Sequence, residues 1–284
     1  SSGAEANEAA IKLARLATGK STIISFTQSF HGRTYGAMSA TGQDSIHSGL
    51  PMLTGFKYAN FNVIDSVAAL IDDDTAAIML ELVQGEGGVF PANQEFISAL
   101  VKLAQRHNIL IIVDEVQTGM GRTGTKFAYM NYQFEPDIVT SAKALANGLP
   151  VGAMLAKNHL ANALSYGTHG STFGGNPLVM SAAQATLSVL DDVLPTLQPK
   201  IDIFWEKLAA IAALSVVSEV RGLGMMAGIA LETPVKDVVS DLLDEHIIVL
   251  SAGQNTLRLL PPLTIPSDKL INSLDKIKNY LSKK

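Results

Sequence analysis

Two kinds of apolar spacing alternate along this chain. Short apolar runs bounded by polar or glycine-rich turns read as strands, and stretches with apolar residues three and four apart read as helices. Residues 21–26, 76–83, 109–113, 136–140 and 151–156 are runs of the first kind. The run Ala-Ala-Ile-Met-Leu-Glu-Leu-Val at 76–83 and the run Ile-Leu-Ile-Ile-Val at 109–113 lack the alternation of a half-exposed strand, which predicts burial on both faces. Between them, residues 94–107 place Phe96, Ile97, Leu100, Val101, Leu103 and Ala104 on one side of a helix. Strand, helix and strand in that order predict a right-handed crossover between parallel strands. Repetition of such units predicts an α/β fold with a mainly parallel sheet.

Other elements group around this unit. Acids at Glu5 and Glu8, small residues, and apolar Ile11, Leu13 and Leu16 predict a helix starting near Ser2. Residues 36–62 read as a loop-rich excursion, 67–71 as a short helix, and 178–190 as a long helix after a glycine-rich turn. From Pro195 the texture changes. A helix carrying Ile201, Phe204, Trp205 and Leu208 leads to short strands at 214–220, 225–231, 247–251 and 256–260. A last helix at 267–281, with Ser267 as its cap, carries the stripe Leu270, Leu274, Ile277 and Leu281. The expected organisation is a large domain over residues 1–193 and a smaller C-terminal α/β domain over 194–284.

Composition narrows the partners. The 284 residues suit one large α/β domain and a smaller one, and 47% hydrophobic content allows a substantial core. A net charge of −5 with no basic block argues against nucleic acid as a main partner. The absence of cysteine excludes disulfides, thiolate metal sites and cysteine nucleophiles. No apolar run approaches the roughly 20 residues of a membrane span, and no signal-peptide pattern opens the sequence, so a cytoplasmic protein without a membrane partner is expected. The sequence starts at Ser1 inside what reads as a functional loop, so an N-terminal segment is expected to be absent from it.

Candidate chemistry sits at the ends of the apolar runs. Asp114 closes the run at 109–113, and an acid belongs at the end of so buried a strand only if it has a partner. In open α/β sheets, ligands bind just beyond the carboxyl ends of the strands. Lys143 lies between two runs, flanked by Ser141, Ala142, Ala144 and Leu145, which suggests a partly buried amine of lowered pKa. A strand-end acid and a lone lysine suit a Schiff-base cofactor with a ring nitrogen. Ser2, Gly3 and Ala4 form either an anion site at a helix N-terminus or a plain cap. Phe30 and Arg33 are either a ring platform with a carboxylate grip, or a core aromatic with a solvated charge. His31 reads as a hydrogen-bonded structural histidine. Glu86, in Gln-Gly-Glu-Gly-Gly, faces a cleft or water; Arg258, in an apolar strand, faces a sheet surface or a cleft between domains. The hydroxyls of Ser171 and Thr172 bind an anion or their own turn. Gly119 to Gly124 matches G-x-G-x-x-G, but residues 114–118 separate it from its strand and no acid-ended second strand follows. A nicotinamide dehydrogenase is therefore disfavoured, and the glycines read as a flexible loop.

Taken together, the ordered set Ser-Gly-Ala-Glu-Ala-Asn-Glu (2–8), Phe-His-Gly-Arg-Thr (30–34), Gln-Gly-Glu-Gly-Gly (84–88), Asp-Glu-Val-Gln-Thr-Gly-Met-Gly-Arg-Thr-Gly (114–124), Ser-Ala-Lys-Ala-Leu-Ala-Asn-Gly-Leu-Pro (141–150) and Ser-Thr-Phe-Gly-Gly-Asn-Pro (171–177) closely resembles the class III pyridoxal-phosphate aminotransferases, among them the acetylornithine aminotransferases. The likeness runs from Ser2 to about Pro262. It implies the type I aminotransferase fold, a pyridoxal 5′-phosphate cofactor and a homodimer with shared active sites. By the resemblance, Lys143 forms the Schiff base and afterwards shuttles the proton, Asp114 pairs with the ring nitrogen, and Gln117 bonds the ring's phenolic oxygen. Phe30 and Val116 sandwich the ring. Ser2, Gly3 and Ala4 hold the phosphate, with Thr172 reaching it from the partner subunit. Arg33 takes a substrate carboxylate, Ser171 contacts substrate across the interface, and Arg258 takes a second carboxylate with Glu86 as its switch partner.

The implied reaction moves the terminal amino group of N-acetylornithine to 2-oxoglutarate, yielding glutamate, in arginine biosynthesis. Ornithine, succinylornithine and 4-aminobutyrate are alternative donors. Two departures stand out: Glu81-Leu82 where the family usually has Glu-Pro, and the family's sizeable segment before the Ser-Gly-Ala loop. If that segment is lacking, the alternative of another class is an inactive fragment kept for dimerisation or regulation.

Overall fold

The computed structural model describes residues 1–284. Helix α1 (Gly3–Thr18) precedes a six-stranded sheet made of β1 (Thr22–Phe26), β2 (Phe56–Ala59), β3 (Thr75–Leu80), β4 (Leu110–Asp114), β5 (Ile138–Ser141) and β6 (Ala153–Ala156). The order across the sheet is β2-β1-β3-β4-β5-β6. All neighbours are parallel except β5 and β6, which run antiparallel at one edge. The mainly parallel α/β architecture is as expected.

The four inner strands β1, β3, β4 and β5 are buried on both faces because alternate residues feed two cores, whereas the edge strands β2 and β6 are partly exposed. Ile24, Phe26, Ile78, Leu80 and Val113 pack with Phe96, Ile97 and Leu100 of α2 (Gln94–His107), the crossover between β3 and β4. Ile23, Ala77, Met79, Ile112 and Ile138 pack with Ala10, Ile11, Leu13 and Ala14 of α1 on the other face. With helices on both sides, apolar side chains are favoured on both faces of the inner strands, and that removes the period-two alternation.

After α3 (Pro177–Val193) and α4 (Leu197–Ala212) comes a four-stranded antiparallel sheet. It contains β7 (Val217–Leu223), β8 (Met226–Leu231), β9 (Leu250–Ala252) and β10 (Thr256–Leu259), in the order β9-β10-β8-β7. Helix α5 (Lys236–Asp244) links β8 to β9, and α6 (Ser267–Leu281) ends the fold. Phe204, Leu208 and Ile211 of α4 and the whole predicted stripe of α6 bury against Ile229, Leu257 and Leu259.

Four local expectations are corrected. The excursion at 36–62 contains the edge strand β2 and helical turns at Tyr35–Ala40 and Asp44–His47; Gly42, Gly49 and Gly55 punctuate these elements and do not exclude them. The run at 76–83 does not continue as one strand. β3 ends at Leu80, the chain turns at Glu81, and Val83–Gln84 pairs with Phe90–Pro91. Ser267 is the first helical residue of α6 and makes no capping bond, because Pro266 occupies the cap position. The 119–124 loop is anchored, not free. Arg122 Nη1 donates to the carbonyls of Met225 (2.8 Å) and Pro261 (2.7 Å), tying the loop to the C-terminal sheet. Its burial lowers the guanidinium pKa to about 10.

Candidate active site

The carboxyl ends of β1, β3, β4 and β5 open on one cavity of about 550 Å³. Its wall includes Ser2, Gly3 and Ala4 from the start of α1, Phe30 and Arg33 from the loop after β1, and Glu81 from the turn after β3. Asp114, Val116 and Gln117 come from the end of β4, and Lys143 from the turn after β5. Residues far apart in the chain converge here because parallel strands end on the same edge of the sheet.

Asp114 is 3% exposed, and three neighbours hold its carboxylate. Its Oδ2 accepts from Asn7 Nδ2 at 2.8 Å and pairs with His31 Nδ1 at 2.8 Å; its Oδ1 accepts from the Val116 amide at 3.0 Å. Asn7 is itself oriented. Thr140 Oγ1, opposite Asp114 in the β4–β5 register, donates to Asn7 Oδ1 at 2.7 Å, so the Asn7 amino group faces Asp114 and the His31 carbonyl. An ionised carboxylate has about four lone-pair sites, and three bonds leave one acceptor position beside the cavity.

Glu81 is the second buried acid of the wall. Its Oε2 accepts from the Phe30 amide at 2.9 Å and its Oε1 from the Gly85 amide at 3.1 Å. Burial raises its pKa to about 7; the Asp114 charge adds to the rise, while His31 and the two amides oppose it. Glu115, next to Asp114, points the other way. Thr118 Oγ1 and the Tyr129 amide hold it, and burial raises its pKa too.

At the start of α1, Ser2 accepts from the Glu5 amide at 3.2 Å, and its carbonyl accepts from the Ala6 amide. The first amides of a helix have no intrahelical partner, which leaves those of Gly3 and Ala4 at the cavity wall. A Cβ added at Gly3 would come within 2.7 Å of a Val116 methyl, so only glycine lets the helix start pack against the strand end. The Arg33 guanidinium lies 5.2 Å from the Phe30 ring centroid.

Lys143 differs from expectation: it is exposed, at a left-handed backbone position (φ 46°) opening the turn Lys143–Ala146. The small neighbours that suggested burial pack inward at Ala142 and Ala146, and this leaves the lysine on the rim. Arg258 is 7% exposed and lies outside this wall, but its Nη1 reaches Gln117 Oε1 (3.1 Å), Glu86 Oε1 (2.7 Å) and the Gly85 carbonyl (2.9 Å). Ser171 and Thr172 are exposed and outside the cavity; Ser171 lies near Glu5 and, after the N-terminal amine and Ser2, helps lower that carboxyl's pKa. Asn7 and Glu81 were missed from sequence, and His31 was read without its partner. A polar residue in the apolar face of α1 and an acid inside an apolar run were the available signals.

A mainly parallel sheet, a strand-end acid held by an asparagine and a histidine, a helix N-terminus and a lone lysine on one cavity are the features of a type I aminotransferase fold. Comparisons with known proteins agree. Residues 1–281 match the family Aminotransferase class-III, and the chain belongs to that family. It is 52% identical over 273 residues to the acetylornithine aminotransferase of Streptococcus mutans serotype c, covering 95% of this chain and 72% of that protein. Among solved structures it superposes on the ornithine aminotransferase of Toxoplasma gondii with a TM-score of 0.94 at 29% identity, covering 99% of this chain and 71% of that one. The N-acetylornithine aminotransferase of Stenotrophomonas maltophilia K279a gives a TM-score of 0.83 at 34% identity, covering 99% and 73%.

Proposed function

We propose that the chain transfers the terminal amino group of N-acetylornithine to 2-oxoglutarate, in arginine biosynthesis, with pyridoxal 5′-phosphate as cofactor. The observation that carries this reading is Asp114 and Lys143 facing one cavity from the ends of adjacent strands, with an anion-ready helix start beside them. The donor rests on the relatives, several of which are acetylornithine aminotransferases.

The residues present fit that cofactor. Asp114 keeps one acceptor position for a ring N–H, and the free amides of Gly3 and Ala4 suit a phosphate. When bound, pyridoxal phosphate supplies an aldehyde that condenses with amines and a ring that withdraws electrons from the substrate carbon. Asp114, oriented by Asn7 and His31, would face the ring nitrogen and favour its protonated form. Phe30 and Val116, both on the cavity wall, would flank the ring, and Gln117 would donate to its phenolic oxygen. Lys143 would supply the amine that anchors the cofactor's aldehyde group and, once freed by substrate, would carry the proton lost by the amine-bearing carbon of the substrate. Arg33 holds one substrate carboxylate. Arg258 holds the second carboxylate of 2-oxoglutarate and is neutralised by Glu86 when the donor binds, as the 2.7 Å pair allows.

The reading includes a cytoplasmic homodimer, with a large domain over residues 1–193 and a small one over 194–284. Exposed Tyr166, Phe173 and Leu178 support the dimer: they cluster in sequence with Ser171 and Thr172, which would reach the partner's site. The deciding experiment reconstitutes the protein with pyridoxal phosphate and compares N-acetylornithine, ornithine, succinylornithine and 4-aminobutyrate as donors to 2-oxoglutarate. A preference for N-acetylornithine supports the proposal. Preference for another donor, or stable colour without turnover, refutes it.

A further inference from the structure

The mechanism treats Arg258 as a carboxylate site and Gln117 as a ring contact, yet the two side chains touch. We propose that Arg258 is a positioning residue for Gln117: its guanidinium holds the Gln117 amide in one orientation and so couples recognition of a second substrate carboxylate to the grip on the cofactor ring. The proposal rests on the ring contact assigned to Gln117 above.

Three observations carry it. First, Arg258 Nη1 lies 3.1 Å from Gln117 Oε1. A guanidinium has donors and no acceptor, so the amide must present its oxygen to Arg258 and turn its NH₂ away. Gln117 also lines the cavity that holds Asp114 and Lys143, which leaves that NH₂ available to an acceptor there. Second, the amide is backed by Gly85. A Cβ added there would overlap the Gln117 amide group itself, so the absence of a side chain is what lets the amide lie where it does. The Gly85 carbonyl accepts from the same Arg258 nitrogen, and its amide donates to Glu81, which fixes the backing surface. Third, Arg258 Nη1 has two hydrogens for three acceptors: the Gly85 carbonyl, Glu86 Oε1 and Gln117 Oε1. The three compete, and Arg258 Nε is buried without any partner. A carboxylate arriving at such a guanidinium redistributes its donors, and the long bond to Gln117 is the one most readily given up.

The consequence is directional. With Arg258 paired to Glu86, as in this structure, Gln117 keeps its bond to Arg258 and its NH₂ faces the ring position. With a dicarboxylate on Arg258, Gln117 is released and its hold on the phenolic oxygen weakens. The two half-reactions then proceed with differently held rings.

The test uses pyridoxal phosphate titrated into the apo-protein, and the pH midpoint of the visible absorption band of the reconstituted enzyme, for wild type, Gln117→Ala, Arg258→Leu and the double variant. Each single variant is expected to weaken cofactor affinity about 3- to 10-fold, the worth of one hydrogen bond, and to move the midpoint in the same direction. In the Gln117→Ala background, Arg258→Leu should add less than about twofold, because coupled residues are not additive. Undiminished, additive losses would overturn the proposal while leaving the ring contact standing. If Gln117→Ala alone changes neither affinity nor midpoint, the ring contact fails and the proposal with it. Should Arg258→Leu not fold, Gly85→Ala presses on the same amide from the other side and leaves Arg258 unchanged; its effect must also vanish without Gln117, and persistence counts against the proposal. Glutarate, which has two carboxylates and neither an amine nor a keto group, should shift the wild-type midpoint and leave that of Arg258→Leu in place. Equal shifts in both proteins would break the link to carboxylate recognition.

Discussion

The Glu81 carboxyl makes the pH dependence of stability a test of the site's electrostatics. Its pKa rises from an ordinary 4.5 to about 7, chiefly because burial strips its water, with Asp114 adding to the effect. Between those two values the native protein holds a proton that the unfolded chain has released, so the native state binds more protons and stability falls as pH rises. Stabilisation is fully present below pH 4.5 and is lost as pH climbs through about 7. A shift of about 2.5 units at 1.36 kcal/mol each corresponds to about 3 kcal/mol across the window. Glu81→Gln removes the titration while keeping the volume and one of the two acceptor contacts to the Phe30 and Gly85 amides. Urea unfolding of wild type and variant at half-unit steps from pH 4.5 to 8 isolates the effect, since all other titrating groups are common to both. Wild type should lose about 3 kcal/mol more than Glu81→Gln across the range, though the variant starts lower because its amide NH₂ meets a backbone N–H. Parallel curves would refute the assignment of the pKa and the burial argument behind it.

Three further outcomes are expected. Lys143→Ala should abolish the visible absorption band and cut transamination by more than about a thousandfold, checked by spectrum and coupled assay; a retained band would remove Lys143 from its role. Glu86→Ala should impair the acetylornithine half-reaction more than the glutamate half-reaction, because the former needs Arg258 neutralised; single-turnover kinetics giving equal losses would sink the switch. Asn7→Ala should cost about 1–3 kcal/mol of stability, since Thr140, the His31 carbonyl and Asp114 all lose a buried partner, and a loss below about 0.5 kcal/mol in urea melts would count against the network.

Local pattern alone determined much of this protein. Uninterrupted apolar runs announced strands buried on both faces, because helices cover both sides of the sheet, and the α6 stripe followed from its spacing. Asp114 was legible as an acid in need of a partner because its own neighbours are so apolar. Tertiary structure alone decided who that partner is. Asn7 and His31 stand 107 and 83 residues away and meet Asp114 only because α1 and the loop after β1 reach the same sheet edge. The turn at Glu81 was hidden, since a buried acid inside an apolar run looks like part of the strand until the amides of Phe30 and Gly85 hold it. The same holds for Arg258, whose contacts with Glu86 and Gln117 span 172 and 141 residues, and for Lys143, left on the rim while its small neighbours pack inward. Periodicity reports the environment a residue requires. Which distant group supplies that environment depends on strand order and register, and those exist only once the chain has folded.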